Sequence, residues 1–230
     1  MRRCLFCDEE MKDVLTWRSL LLKVEVKVIC EECESRLEVI SGETCSMCSR
    51  ELDEKFRVGD RCLDCVRWEK DEKWKGHLTQ NISLFHYNEH LKDIIAKYKY
   101  RGDYALAEAF VPFLKERMKD LRFDIVTVIP LSEERLRERG FNQAQALTDL
   151  LGLETMEILT RLHTEKQSKK SREERISLPQ VFQVIELDAI QNKSIVIVDD
   201  IYTTGSTLRH AAKALKLAGA GDIFSITLAR

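Results

Sequence analysis

The feature that most constrains the fold is the stretch from Ser194 to Thr207, with the sequence Ser-Ile-Val-Ile-Val-Asp-Asp-Ile-Tyr-Thr-Thr-Gly-Ser-Thr. Its first part is an uninterrupted run of β-branched residues, which is typical of a strand buried on both faces of a parallel sheet. Two carboxylates follow where we expect this strand to end, and residues 208–217 have helical periodicity. The sequence therefore predicts an α/β fold built around a strand, a loop of small hydroxylic residues and a helix.

The predicted loop has the chemistry of an anion-binding site. Backbone N–H groups at the N-terminus of a helix are unpaired and lie at the positive end of its dipole. Gly205 permits close approach of the backbone, and the hydroxyl side chains add donors, so a phosphate group fits there. Asp199 and Asp200 would accept hydrogen bonds from a sugar or hold a metal bound to the phosphate. The alternative is a simple helix cap made by one threonine, which needs far fewer polar residues.

The apolar run, the two aspartates and the Thr-Gly-Ser-Thr that follows resemble the signature for 5-phosphoribosyl 1-pyrophosphate (PRPP) in type I phosphoribosyltransferases. The resemblance implies a phosphoribosyltransferase-like parallel sheet flanked by helices. It implies that Asp199 and Asp200 bind the ribose hydroxyls and are the catalytic candidates, with Mg²⁺ accompanying PRPP in an active enzyme. The residues that it places around the 5′-phosphate are Thr203, Thr204, Gly205, Ser206 and Thr207.

Charge and hydropathy exclude some broad classes of protein. The 230 residues include 37 Lys and Arg against 39 Asp and Glu, a formal net charge of −2. That balance argues against a nucleic-acid binder that is basic overall. Because no apolar stretch has the length of a membrane span and the N-terminus lacks the apolar core of a signal peptide, we predict a soluble cytoplasmic protein.

All eight cysteines lie in the first third of the chain, as four Cys-x-x-Cys pairs. This spacing lets two thiolates converge on one tetrahedral metal, so four pairs supply two Cys₄ zinc sites. Disulfides or redox-active pairs are the less favoured alternative, because cytosolic thiols stay reduced. We expect the first pair to join the second and the third to join the fourth, with a crossed arrangement as the alternative. The predicted ligands are Cys4, Cys7, Cys30, Cys33, Cys45, Cys48, Cys62 and Cys65.

The cysteine-rich segment is predicted to be a small double zinc-ribbon-like module with structural metal, since four thiolates leave no open position on the ion. We place it at residues 1–75, ahead of a phosphoribosyltransferase-like domain at 76–230. Its slightly acidic composition favours a protein-docking role. We interpret Trp17, Trp68 and Trp74 as packing residues in preference to base-stacking platforms.

Hydrophobic periodicity predicts further strands at 82–87, 124–130, 181–184 and 222–229. A helix capped by Asn88 is expected to bury one apolar face, and further helices are predicted at about 105–121 and up to residue 151. Residues 131–141 are predicted to form a long, charged loop. In phosphoribosyltransferases the loop at this place binds pyrophosphate and is short, so the resemblance places Leu131, Ser132 and Glu133 there, with Arg139 nearby.

Two basic segments are candidates for contact with pyrophosphate or a nucleic-acid backbone. Lys99 and Arg101 end the helix that follows Asn88. The alternative, given equal weight, is that these basic residues and the glycine after them only close and stabilise the C-terminus of the helix. The second segment, residues 159–175, is predicted to be a polar surface loop with no buried face. Its position matches the hood loop that closes over PRPP in the superfamily. The candidate contacts there are Lys166, Gln167, Lys170, Arg172 and Arg175.

The paired cysteines, Lys-x-Arg-Gly-Asp, Arg-Gly-Phe-Asn-Gln-Ala, Glu-Lys-Gln-Ser-Lys-Lys and the PRPP-like signature are together similar to the ComF/GntX family, almost from end to end. This resemblance implies a competence protein that acts in DNA uptake during natural transformation. It implies single-stranded DNA and a ComFA-type DEAD-box ATPase as partners. It also implies a cytoplasmic location, with peripheral attachment to the membrane through an uptake complex as the alternative.

Three functions remain open at this point. The protein could transfer ribose 5-phosphate from Mg²⁺–PRPP to an unknown acceptor. It could instead be a binding module, in which residues 135–139 and 166–175 follow single-stranded DNA while the zinc module docks the ATPase. It could also be a PRPP-sensing regulator. The complete Asp-Asp and hydroxylic loop favours binding of a phosphoribosyl ligand in all three.

Overall fold

The structure, a computed structural model, describes residues 2–11, 27–100, 102–162 and 181–230. Its strands β1 to β10 are Arg2–Arg3, Glu10–Met11, Arg57–Val58, Arg61–Cys62, Gln80–Phe85, Ile125–Val128, Leu159–Arg161, Phe182–Val184, Ile195–Ile201 and Ile223–Ala229. Its α-helices α1 to α7 are Glu31–Ser35, Leu63–Lys70, Glu89–Tyr100, Val111–Met118, Glu133–Arg139, Gln143–Leu151 and Ser206–Leu217. Short 3₁₀ helices span Glu54–Phe56 and Tyr104–Phe110. No helix in these ranges combines the length and apolar character that crossing a bilayer requires.

A four-stranded sheet with the order β5-β10-β9-β6 forms the centre of the molecule, and all its neighbouring strands are parallel. The predicted parallel sheet flanked by helices is therefore confirmed. The central strand β9 lacks alternation because both of its faces are buried. Val196 and Val198 belong to one apolar core, whereas Ile195 and Ile197 belong to the core on the opposite face.

The cysteine-rich segment is divided between these two cores. Cys4 and Cys33 pack with α3 and α6 on one face of the sheet. The four later cysteines pack with α7 on the other face. The division of the chain near Gly76 stays a prediction, and the described cysteine-rich residues contact the sheet domain on both sides.

The helix after Asn88 forms as predicted. The Asn88 side chain accepts a hydrogen bond from the N–H of Leu91 at 2.9 Å, which caps α3. The predicted apolar face is buried, at residues Leu91, Ile94, Ile95 and Tyr98. The next helical region differs from the prediction, because it begins as a 3₁₀ helix and becomes α-helical only at Val111, where Pro112 occupies the first turn.

Two expectations about the loops at the sheet edge are wrong. Residues 131–141 do not form a long loop, because α5 occupies Glu133–Arg139. Ser132 caps this helix by accepting from the N–H of Arg135 at 3.3 Å, and acidic residues at its start with basic ones at its end suit the helix dipole. The strand β9 also extends further than expected, through Ile201, so Asp199 and Asp200 lie within its last three residues.

The segment at 159–175 also departs from the prediction at its start. Leu159–Arg161 forms β7, which pairs antiparallel with β8 in a separate two-stranded ribbon, and Leu159 is buried. The expectation of no buried face is therefore wrong for residues 159–161. The strand predicted at 181–184 is present as β8, and it lies in this ribbon and not in the main sheet. The rest of the segment, from 163 to 180, lies outside the described residues.

Candidate functional site

The site lies at the carboxyl ends of the parallel strands, where ligands of open α/β sheets bind. Strand β9 brings Asp199 and Asp200 to this edge, and the loop that follows leads directly into α7. In the loop, Thr203 and Thr207 are exposed and Thr204 is half-buried. The Oγ1 of Thr204 accepts a hydrogen bond from the N–H of Ser206 at 3.3 Å. The loop thus presents hydroxyl groups and the first N–H groups of a twelve-residue helix to one place.

Gly205 is required here for two reasons. Its φ of +77° lies in the left-handed region, and a Cβ atom added to it would be 2.1 Å from the hydroxyl oxygen of Tyr202. Gly205 is also the N-cap of α7, and it makes no capping bond through a side chain. Thr204 nevertheless accepts from the first N–H of α7, as in the threonine-cap alternative. One such bond does not account for the exposed hydroxyl groups of Thr203 and Thr207.

Asp200 is held by two cations. The Nζ of Lys99, at the end of α3, lies 2.7 Å from Asp200 Oδ2. The Nη1 of Arg139, at the end of α5, lies 3.8 Å from the same oxygen. Of the sequence-predicted contacts, the structure thus brings Lys99 and Arg139 to Asp200.

Arg139 is buried, and a hydrogen bond to Gln143 of α6 holds its side chain in place. Its Nη1 donates to the side-chain oxygen of Gln143 at 2.9 Å, and Gln143 exchanges hydrogen bonds with Tyr98. The buried Nε of Arg139 has no hydrogen-bond partner among the residues that the structure describes. A buried donor without a partner is costly unless a ligand completes it.

The pKa of Asp199 is perturbed by its surroundings. Burial, reinforced by the charge of Asp200, raises the pKa of Asp199 to about 7. The N–H of Asp200 donates to Asp199 Oδ1 at 2.9 Å and, with Lys99 and Arg139, opposes this shift. A carboxylate with a perturbed pKa beside a charged partner is common at functional sites.

Arg161, on β7, is a site residue that the sequence analysis missed. Its guanidinium lies over the ring of Phe182 at 5.6 Å. Burial, together with the charge of Arg135, lowers the pKa of Arg161, and the charge of Asp199 opposes this shift. Arg161 is therefore within electrostatic reach of both Arg135 and Asp199. The sequence analysis placed it in an exposed loop, because three strand residues give too short a pattern to detect.

The other predicted contacts are not placed. Residues Arg101, Lys166, Gln167, Lys170, Arg172 and Arg175 lie outside the described residues. The strands β7 and β8 flank residues 163–180 and join α6 to β9, so this segment is inserted between two strands of the main sheet.

The eight cysteines form two groups in the sequential arrangement that was predicted. Within each group the four Sγ atoms lie within 4.8 Å of one another. The groups are Cys4, Cys7, Cys30 and Cys33, which we name the first cysteine cluster, and Cys45, Cys48, Cys62 and Cys65, the second cysteine cluster. All eight are free thiols, so the disulfide alternative is wrong in this structure.

Both clusters have the geometry of a structural zinc site. A tetrahedron with Zn–S bonds of about 2.3 Å has sulfur–sulfur edges of about 3.8 Å. The Sγ atoms of Cys7 and Cys30 are 3.8 Å apart, and those of Cys48 and Cys62 are 3.6 Å apart. The N–H of Cys30 donates to the Sγ of Cys4 at 3.3 Å, and that of Cys62 to the Sγ of Cys45 at 3.3 Å. The same local architecture is therefore built twice, and each copy could hold a metal ion.

We name the loop at residues 203–207 the phosphate-type loop. A cavity of about 350 Å³ opens beside it. Its walls come from the carboxyl ends of β5 and β9 and from the segment that follows Cys48. Polar and aromatic groups line it, at residues Arg50, Glu51, His86, Tyr87, Thr203 and Arg230. The cavity is large enough for a small planar ligand next to Thr203.

The sheet, the Asp-Asp edge and the loop before α7 define a phosphoribosyltransferase-like domain, joined to a segment with two Cys₄ groups. The family model described as phosphoribosyl transferase domain matches residues 136–230. Competence protein ComFC of Streptococcus pneumoniae (strain ATCC BAA-255 / R6) is 36% identical over 229 residues, which cover 99% of this chain and 100% of that protein. The chain belongs to the ComF/GntX family.

Two further relatives are also similar over most of the chain. Competence protein ComFC of Bacillus subtilis (strain 168) is 36% identical over 231 residues, which cover 99% of this chain and 94% of that protein. Competence protein F of Haemophilus influenzae (strain ATCC 51907 / DSM 11121 / KW20 / Rd) is 24% identical over 226 residues, which cover 87% of this chain and 96% of that protein. The likeness to these proteins thus includes the cysteine-rich segment as well as the sheet.

Proposed function

We propose that this protein binds PRPP at the carboxyl edge of its sheet and acts in DNA uptake during natural competence. The observation that carries the proposal is the arrangement of Asp199, Asp200 and the glycine-capped N-terminus of α7 around one edge of the sheet. Carboxylates accept hydrogen bonds from ribose hydroxyls, and helix N–H groups with hydroxyl side chains bind phosphate.

The two ends of PRPP would meet different groups. The 5′-phosphate would lie on the N–H and hydroxyl groups of residues 203–207. The two aspartates would accept from the ribose 2′- and 3′-hydroxyls, and Lys99 would shift from Asp200 toward the ligand. The pyrophosphate would then face Arg139, with its unpartnered Nε, and Arg161. Residues 163–180 are in sequence position to cover it.

Mg²⁺ would arrive with PRPP. Among the described residues, groups of three or more potential metal ligands are found only in the two cysteine clusters. Mg²⁺ usually binds through one or two carboxylates together with phosphate oxygens, and Asp199 and Asp200 fit that role. When bound, it would neutralise pyrophosphate charge.

The competence role rests on the relatives, because ComFC and competence protein F are named for it. We propose that the protein handles incoming single-stranded DNA together with a ComFA-type ATPase. The cysteine-rich segment would dock the ATPase. The basic residues at 166–175 would contact the DNA backbone, since lysine and arginine neutralise phosphates. Because Arg139 is buried, it would contact the pyrophosphate of PRPP and not the DNA backbone.

The cavity beside Thr203 favours a second candidate, an active phosphoribosyltransferase with a small acceptor. In that case the protein's contribution would be to orient the ribose and stabilise the departing pyrophosphate. Release of pyrophosphate from PRPP, stimulated by the acceptor, would distinguish this enzyme from a protein that only binds.

Calorimetric titration with Mg²⁺–PRPP, before and after saturation with a single-stranded oligonucleotide, tests the proposed function. We expect binding by the wild type and loss of binding in Asp200→Asn. Asp188→Asn, an exposed change away from the site, is the matched control and should bind normally. PRPP binding that survives in Asp200→Asn would contradict the site assignment. The absence of wild-type binding, with salt-dependent DNA binding, would show that the phosphate site serves DNA instead.

A further inference from the structure

The second cysteine cluster contacts the phosphate-type loop through α2. This helix begins directly after Cys62 and carries Cys65 and Trp68. Trp68 is buried, and its Nε1 donates a hydrogen bond to the backbone oxygen of Thr204 at 3.2 Å. The indole therefore fixes the loop backbone at the position that precedes Gly205.

A buried arginine makes a second connection. Arg209 lies one turn into α7 and is 1% exposed. Its Nη1 lies 3.1 Å from the carboxylate of Glu69, its Nη2 donates to the Sγ of Cys65 at 3.9 Å, and its guanidinium lies 5.0 Å from the Trp68 ring. The start of α7 is thus joined to a cysteine sulfur of the cluster and to Trp68 and Glu69 of α2.

A third connection reaches the loop from Cys48. The Nη1 of Arg230 donates to the backbone oxygen of Cys48 at 2.8 Å, and the same guanidinium lies over the ring of Tyr202 at 5.0 Å. Tyr202 fills the space that a side chain at position 205 would need. The loop is therefore contacted from both halves of the second cysteine cluster.

The first cysteine cluster has different neighbours. Cys4 and Cys33 lie in the core on the opposite face of the sheet. One contact next to this cluster is from Lys97 on α3, whose Nζ donates to the backbone oxygen of Phe6 at 3.0 Å. The two clusters repeat one architecture, yet among the described residues the connections to residues 202–209 come from the second cluster.

We propose that the second cysteine cluster, when it holds its metal, positions the phosphate-type loop, so that metal loading and phosphoribosyl binding are coupled. Trp68 and Arg209 are the positioning residues. The identity of the ligand rests on the proposed function. The positioning of the loop rests on the contacts of Trp68 and Arg209 alone. Coupling of two sites is reciprocal, so a phosphoribosyl ligand would also strengthen retention of the metal.

The physical basis is the dependence of α2 on the metal. A Cys₄ metal contributes directly to the folding free energy of a small segment. Cys62 and Cys65 are both ligands in the proposed site, and they fix the first turn of α2. Without the metal, that turn loses its anchor, and the donors and acceptors on Trp68 and Glu69 lose their positions.

The substitution Trp68→Phe tests the positioning, because it keeps an aromatic ring and removes the indole N–H. Trp74→Phe is the control for ring packing, since Trp74 is also buried, packs edge-to-face on Trp68 at a ring distance of 5.1 Å and on His210 of α7 at 4.6 Å, and its change leaves the N–H of Trp68 in place. The readouts are metal content, melting temperature, PRPP affinity and hydrogen–deuterium exchange of peptides that span 200–210. For Trp68→Phe we expect full metal content, faster exchange in those peptides and an affinity lower by about fivefold, the loss of one hydrogen bond. Trp74→Phe should leave exchange and affinity unchanged.

Cysteine variants test the metal itself. Cys62→Ser and Cys7→Ser should each release one metal ion, and only Cys62→Ser should accelerate exchange at 200–210 and weaken PRPP binding. Unchanged exchange in both Trp68→Phe and Cys62→Ser would overturn the proposal, as would an equal effect of Cys7→Ser. If the wild type binds no PRPP, the proposed function fails, whereas the exchange measurements still decide the positioning.

Discussion

The Nζ of Lys99 and the Oδ2 of Asp200 are 2.7 Å apart, and their side chains are 14% and 13% exposed. This ion pair joins the end of α3 to the end of β9, at the edge where the ligand is proposed to bind. It satisfies a carboxylate that would otherwise lie beside Asp199 in a partly buried place. Binding of ribose hydroxyls to Asp200 would require the lysine to move.

We predict that Lys99→Met destabilises the protein by about 3 kcal/mol, because removal of one partner leaves a poorly solvated charge. Since Lys99 also opposes the raised pKa of Asp199, PRPP affinity at neutral pH should fall as well. Urea unfolding and calorimetric titration measure the two effects. Lys92→Met on the same helix is the control, because Lys92 is exposed and its ion pair is with the exposed Glu89, one turn away on the same helix. Equal stability of the two variants would show that the Lys99–Asp200 pair is not structural.

PRPP affinity should increase with pH up to about 7. The pKa of Asp199 is raised to about 7, and only the ionised carboxylate offers both of its oxygens as acceptors to the O–H groups of the ribose. Below that pKa, affinity should fall by about tenfold per pH unit at the limit. The ligand's phosphate also titrates near pH 6, so Asp199→Asn is needed as a reference. A pH profile that is the same in this variant would assign the dependence to the ligand.

The contribution of Asp199 to the stability of the folded protein should decrease as the pH rises, whereas PRPP affinity should increase. Because the pKa of Asp199 is raised from 3.8 to about 7 on folding, the folded state binds the proton more tightly than the unfolded state. The contribution of this group to stability is therefore complete below pH 3.8 and is lost as the pH rises through about 7. The free energy of unfolding of Asp199→Asn, relative to the wild type, should increase over that interval. A constant difference in urea unfolding between the two proteins would refute this assignment.

Arg161→Met should discriminate between ligands. The charges of Arg135 and Asp199 act on Arg161, and in the proposed function Arg161 faces the pyrophosphate and not the 5′-phosphate. We expect affinity for PRPP to fall by about 2 kcal/mol, as for loss of a charge-assisted hydrogen bond, with affinity for ribose 5-phosphate unchanged. Competition binding with the two ligands measures this difference. A similar loss for both would place Arg161 at the ribose or the 5′-phosphate instead.

Gly205→Ala should abolish phosphate binding. The added Cβ would be 2.3 Å from Cζ of the buried Tyr202 ring, so the loop or the ring must move. Gly152→Ala is a matched control, because Gly152 has a φ of +69° with no atom within 4 Å of the added Cβ. The control should lose only about 1 kcal/mol of stability from backbone strain. If Gly205→Ala binds ribose 5-phosphate as well as Gly152→Ala does, close packing against Tyr202 is not required for the site.

Sequence patterns were sufficient where a structural element depends on its own residues. The buried face of α3 follows from apolar spacing and the Asn88 cap, and β9 follows from its β-branched run. Patterns failed at α5, where six of the seven residues from Glu133 to Arg139 are charged, as in a solvated loop, and the helix is instead defined by Ser132 and Gly140 at its ends. They also failed at β7, which is stable through its pairing with β8.

The sequence by itself determined the strand, the loop chemistry and the Cys-x-x-Cys pairs, because each depends on residues that are adjacent or one turn apart. The tertiary structure decided which pairs share a cluster, which cations meet Asp200, and that Trp68 bonds to Thr204 across 136 positions of the chain. Such contacts depend on how helices pack on the two faces of the sheet. A pattern with a period of two or 3.6 residues specifies which face is buried and does not specify the partner.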